Sequence, residues 1–176
     1  TLRIPAHDPL NPPLWELGHI GWFQAWWTLR NPHFLKGVRA DPDVARTPPL
    51  RANADALYDS SRVPHASRPT LPLPDADATL DDLARQLDAV LSLLAGVPDD
   101  GDDALYFFRL SLLHEDMHHE AALYMAQQLD IAVDDPRWQP AVAGARDTLS
   151  LPAARHQLGS SGHGFAFDNE LCAHAV

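Results

Sequence analysis

Apolar positions recur at helical spacing in three stretches of the chain, and the segments between them are rich in proline. The first stretch, "NPPLWELGHIGWFQAWWTLRN", predicts a helix over about residues 13–30, with Asn11 as its cap and Pro12 and Pro13 at its first positions. The second, "ATLDDLARQLDAVLSLLAG", places Leu80, Leu83, Leu87, Val90, Leu91 and Leu94 at helical spacing. Thr79 is its expected cap, Asp81 and Asp82 suit its positive end, and Gly96 is its expected stop. The third, "DDALYFFRLSLLHEDMHHEAALYMAQQLD", predicts a long helix over about residues 102–130. "RANADALYDSSR" reads as a short helix, and the prolines of "VPHASRPTLPLPDAD" argue against a central strand. The tail, "DTLSLPAARHQLGSSGHGFAFDNELCAHAV", reads as strands and turns. A helical front and a β-containing end are thus expected, divided near residue 140.

The long third helix raises the first chemical question. On a helix that turns about 100° per residue, Ser111, His114, His118, Met125 and Leu129 fall within about 40° of Phe107. His114 and His118 therefore stack one turn apart on the inward stripe. Asp116, His119 and Glu120 point away, and Glu115 lies on the flank. Two neutral imidazoles at i and i+4 can bind one metal ion from the same side, the plainer alternative being a hydrogen-bonded pair of core histidines. The first helix offers a third imidazole. His19 shares a face with Trp15, Trp22 and Trp26, and three tryptophans on one stripe require burial. A three-histidine site built across two facing helices is the reading these positions favour. The remaining histidines, at 7, 33, 65, 119, 156, 163 and 174, fall in loops or on the outward face.

Three chemistries fit such residues. His114-Glu115-Asp116-Met117-His118 spells H-E-x-x-H, the zinc-peptidase signature, with Glu115 as general base. Its extended form needs Gly and His where this chain has Ala121 and Tyr124. A ferritin-like di-iron centre needs paired Glu-x-x-His motifs and two further glutamates. Glu16–His19 and Glu115–His118 have that spacing, but the only other glutamates are Glu120 and Glu170. A mononuclear three-histidine site suits Fe(II), Zn or Ni, and spacing alone does not choose among them.

Composition narrows the classes further. Hydrophobic residues make up 45% of the 176 positions, as in a globular protein. A formal net charge of −11 argues against nucleic-acid binding and against docking on anionic membranes. No apolar run approaches the roughly 18 residues of a membrane span. A single cysteine, Cys172, excludes a disulfide framework and fits a reducing cytoplasm. The start without Met and the end in mid-pattern lead to the expectation of a longer polypeptide.

"NPPLWELGHIGWFQAWWTLRN" followed by "HEDMHHEAALYMAQQL" resembles the metal-binding half of the ergothioneine-forming sulfoxide synthases and of their relatives, the selenoneine synthases. The family carries an L-x-H-I-x-x-[FY]-like motif, matched at His19, and H-x-x-x-H-x-E, matched at His114, His118 and Glu120. "GFAFDNE" resembles the opening of its second domain. The resemblance implies a mainly α fold: a DinB-like four-helix bundle over residues 1–140, its first helix missing, then at 141–176 a linker and the beginning of a mixed α/β formylglycine-generating-enzyme-like domain. It implies Fe(II) on His19, His114 and His118, with O2 as co-substrate. The implied reaction joins sulfur or selenium to the imidazole carbon of hercynine, from a thiol or a selenosugar. Met117 stands where the sulfoxide synthases often have a Gln that contacts hercynine. "LYDSSRVPHASR" departs from their Asn-Ser-Tyr-Tyr-like segment and looks closer to the selenoneine branch, and it offers Arg62 and Arg68 as contacts to the second substrate. The family's catalytic Tyr belongs to the part of the second domain that lies past these residues. The competing class is a DinB-like zinc or nickel thiol transferase or hydrolase, or a metal-binding bundle without enzymatic activity.

Overall fold

The structure, a computed structural model, describes residues 2, 4, 10–98, 101–135, 137, 144 and 147–176. The chain is mainly helical and forms two compact units, Thr1–Ala122 and Leu123–Val176. The expected division near residue 140 falls in a segment outside the described residues, as does His7.

Helix α1 spans Pro13–Trp27. Pro12, in extended conformation, stands at the cap position and makes no side-chain cap, and Pro13 opens the first turn. Asn11 is not the cap; its side-chain amide instead donates to Glu16. The helix stops three residues earlier than the apolar pattern suggests. Thr28 leaves helical geometry at φ −107° and ψ −80°, and its N–H and hydroxyl both turn back to the Gln24 carbonyl. Pro32 then prevents any resumption.

The short helix α2, Ala54–Tyr58, packs across α1. Trp15, Trp22, Ala54, Leu57 and Tyr58 form the buried core, with Phe23, Trp26, Leu71 and Leu73 packed against it. Tyr58 lies so close to α1 that a methyl group on Gly18 would overlap its ring. Gly21, one turn on, does the same for helix α3 (Ala76–Ala95): a methyl there would sit 2.8 Å from Gln86 Nε2 and Leu83 Cδ2. Two glycines on one helix thus set the approach of two neighbours.

Helix α3 spans Ala76–Ala95. Asp75 caps it, its carboxylate accepting the Ala78 N–H at 2.9 Å, so the helix starts a turn before the expected cap. Thr79 is buried inside the helix, its hydroxyl on the Asp75 carbonyl. Gly96 does end the helix. The face turned inward carries Thr79, Asp82 and Val90, while Leu80, Leu87, Leu91 and Leu94 are 36–52% exposed. Asp82 lies on that inward face. It pairs with Arg51 and Arg85, and a carboxylate this buried needs those partners.

Helix α4 spans Asp102–Gln128, and its part within the first unit meets α1 through aromatic rings. Phe107 stacks on Trp27 at 5.2 Å, and His114 stacks on Phe23 at 3.6 Å with 6° between the planes. In the second unit, β1 (Gln157–Leu158) pairs antiparallel with β2 (His174–Ala175), Gln157 opposite Ala175. A turn at Asp168–Glu170 is closed by the Phe167 N–H on the Glu170 carboxylate. These match the strands and turns expected of the tail. Among the described residues no helix is long and apolar enough to cross a membrane.

The Gly18 contact gives a direct test. Gly18→Ala must displace Tyr58, and a thermal melt followed by circular dichroism is expected to show a loss of about 1–3 kcal/mol. Gly96→Ala, at φ −91° with its nearest contact at 3.4 Å, is expected to melt close to the parent protein.

Candidate metal centre

The site begins with three ring N–H groups on one face of α1. Trp15, His19 and Trp22 are spaced i, i+4 and i+7, and burial leaves their donors no water. α2 supplies the acceptors. Trp15 Nε1 donates to the Leu57 carbonyl at 2.7 Å, and Trp22 Nε1 donates to Asp55 Oδ1 at 2.7 Å. Between them, His19 Nδ1 bonds the Tyr58 carbonyl at 2.8 Å. Carbonyls near the end of a short helix have no partner within it, so they are free to accept. Asp55 is held by a bidentate pair with Arg30 at 2.7 and 2.8 Å.

The His19 contact decides its tautomer. A carbonyl only accepts, so Nδ1 carries the hydrogen and Nε2 keeps a lone pair. His118 is fixed in the same sense, because its Nδ1 lies on the carboxylate of Glu16. Its Nε2 stands 3.1 Å from Nε2 of His114. One ring nitrogen from each of His19, His114 and His118 lies within 4.8 Å of the others. Trp15 stacks on His19 at 4.7 Å and Phe23 on His114, so flat apolar walls hold two of the three rings.

Burial also sets the protonation states. It pushes His19 down to about 4, although the Tyr58 carbonyl acts the other way. Burial, reinforced by the neighbouring His118 and His19, pushes His114 down to about 3. Both imidazoles are therefore neutral at pH 7, the form that binds metals. For Glu16, burial opposes ionisation, but hydrogen bonds from His118 and Asn11 outweigh it, and the carboxyl sits below the usual range.

This donor set fits a divalent transition-metal ion. Nitrogens bound at about 2.1 Å to one ion lie roughly 3.0–3.4 Å apart at right-angle to tetrahedral spacing, and the 3.1 Å between His114 and His118 falls in that range. The two N–H groups whose partners are known both point away from the cluster.

Other residues singled out in the sequence lie elsewhere or are already engaged. Met117 is 49% exposed and is not in the cluster. Arg62 is exposed and pairs with Asp59 at 3.3 Å. Arg68 lies 3.9 Å over the Trp15 ring and donates to Asn11 at 2.8 Å. Glu115 lies 4.0 Å from His119 on the outward side of α4, and Glu120 is exposed. The carboxylate at the centre is Glu16, which periodicity alone did not single out. Its position one turn before His19 was the available signal.

Against known proteins, the chain is similar to hercynine oxygenases. The one from Mycobacterium tuberculosis is 34% identical over 131 residues, covering 74% of this chain and 27% of the relative. Those from Mycolicibacterium smegmatis and Mycolicibacterium thermoresistibile are 32% and 33% identical over 180 aligned positions, covering 97% of this chain and 39% and 37% of the relatives. The chain thus spans less than two fifths of the length of these hercynine oxygenases. No protein-family model matches it.

The depressed histidines predict an acid-sensitive fold. Unfolded histidines bind protons below about 6.5. Folded His19 and His114 do so only near 4 and 3. Between those limits the unfolded state holds more protons, so stability falls as pH falls, by up to about 1.4 kcal/mol per unit for each group. Metal-free protein is expected to melt progressively lower from pH 6.5 to 4. His114→Phe, which keeps the stack on Phe23, is expected to flatten that slope.

Proposed function

We propose that the chain is the metal-binding part of a non-haem Fe(II), O2-dependent enzyme that forms a C–Se (or C–S) bond on the imidazole of hercynine, as in selenoneine or ergothioneine biosynthesis. The observation that carries the proposal is the cluster of His19, His114 and His118, with the N–H groups of His19 and His118 turned outward, in a chain similar to hercynine oxygenases. The reaction replaces a C–H and a chalcogen–H bond by a carbon–chalcogen bond; the two hydrogens leave as water with one oxygen atom of O2, and the other oxygen atom goes to the chalcogen as its oxide. His19, His114 and His118 would hold the Fe(II), which when bound would supply the redox chemistry toward O2. The chain's own part is to fix the ligands. The Tyr58 carbonyl holds His19, Glu16 holds His118, and Phe23 and Trp15 wall the rings against water. Residues that hold hercynine and the selenosugar or thiol, and the catalytic Tyr, are assigned to the remaining length that the relatives possess. The net charge of −11 supports small-molecule partners rather than nucleic acid or an anionic membrane, and the single exposed Cys172 suits the cytoplasm.

For a peptidase Glu115 would be the general base, and its position beside His119, 4.0 Å away and outside the cluster, favours the synthase reading. Metal analysis separates the synthase from a zinc or nickel transferase or hydrolase. The natural full-length protein, purified without oxygen, is expected to hold one Fe(II) per chain and to consume O2 only with hercynine and a selenosugar or thiol present. His19→Ala is expected to abolish both. Stoichiometric iron in His19→Ala would refute the three-histidine centre, and absence of turnover with every donor pair would refute the synthase.

A further inference from the structure

We infer that Glu16 is a positioning residue, the inner end of a hydrogen-bonded relay Arg68–Asn11–Glu16–His118 that presents His118 as an Nε2 ligand and places one negative charge behind the metal. The inference rests on the three-histidine reading and deepens it. Glu16 is only 7% exposed, yet among the described residues no Lys or Arg pairs with it directly. One carboxylate oxygen takes the His118 Nδ1–H and the other takes the Asn11 amide N–H. The Asn11 carbonyl oxygen in turn accepts from Arg68 Nη1 at 2.8 Å. Arg68 is itself seated, its guanidinium 3.9 Å over Trp15 and bonded to the Val63 carbonyl.

Every hydrogen in this chain points toward the carboxylate, and the direction is enforced at both ends. Arg68 only donates, so Asn11 must turn its oxygen to Arg68 and its NH2 to Glu16. As a carboxylate, Glu16 accepts on both oxygens, so His118 carries its hydrogen on Nδ1. The lone pair of Nε2 is left facing Nε2 of His114. A carboxylate on the far nitrogen of a ligating histidine orients the ring and raises its basicity. Gln in place of Glu16 keeps the shape but breaks the order. If its oxygen stays on His118, its NH2 meets the NH2 of Asn11. Turning Asn11 over to relieve that contact sets two donors against each other at Arg68.

The test is Zn(II) titration of the full chain and of Glu16→Gln, Glu16→Asp and Asn11→Ala, with circular dichroism to confirm folding, and the Fe(III)/Fe(II) midpoint of each. Glu16→Gln is expected to bind Zn(II) about 10–100-fold more weakly. Its midpoint is expected to rise, because Fe(III) loses the nearby negative charge. Glu16→Asp is expected to recover part of both. A purely structural role would not move the midpoint in a folded variant. Should Glu16→Gln fail to fold, Asn11→Ala carries the test: it removes the donor behind Glu16 and is expected to weaken Zn(II) binding to a smaller degree. Affinity within about twofold of the parent and an unchanged midpoint in the folded variants would overturn the relay. If the parent chain binds no stoichiometric Zn(II), or His114→Ala binds as the parent does, the three-histidine reading falls, and the relay's role at the metal falls with it.

Discussion

Buried ring N–H groups must find acceptors, and the first unit is arranged around that requirement. Trp15, His19 and Trp22 present three such donors along α1, and α2 answers with two carbonyls and the Asp55 carboxylate. A hydrogen bond left unmade in a core costs more than a made one contributes. Seating α2 is therefore decided by polar matching within an apolar contact. The close approach needed for those bonds is possible because Gly18 has no side chain to meet Tyr58. His19 is oriented by the same pairing, through its own bond to the Tyr58 carbonyl.

Much of this was legible in the residues. The apolar period located α1, α3 and α4, and their faces singled out His19, His114 and His118, which the fold brings together. The details that were not legible share a cause: each depends on which partner a polar group finds. Asp75 rather than Thr79 caps α3, and the leucines that mark its period stand largely exposed while Asp82 turns inward to Arg51. Asn11, which has the look of a cap, serves Glu16 instead. Hydrophobic spacing counts apolar side chains and is blind to such pairings.

The H-E-x-x-H string shows how far a motif can stand from its usual meaning. Its histidines do converge, but the glutamate between them lies beside His119. The carboxylate that touches the cluster comes from another helix, at Glu16. Letters adjacent in sequence diverge on a helix by about 100° per residue, and a residue roughly a hundred positions away supplies the contact.

That separation bears on the order of folding. His19 meets Tyr58 across 39 positions and Trp15 meets Leu57 across 42, whereas Glu16 reaches His118 across 102. Closing a longer loop sacrifices more chain entropy before its contacts repay it. The α1–α2 pairing closes the shorter loop, and it orients His19 through a contact that does not involve α4. α4 thus carries two imidazoles, one turn apart, to a first imidazole that the Tyr58 carbonyl holds in place.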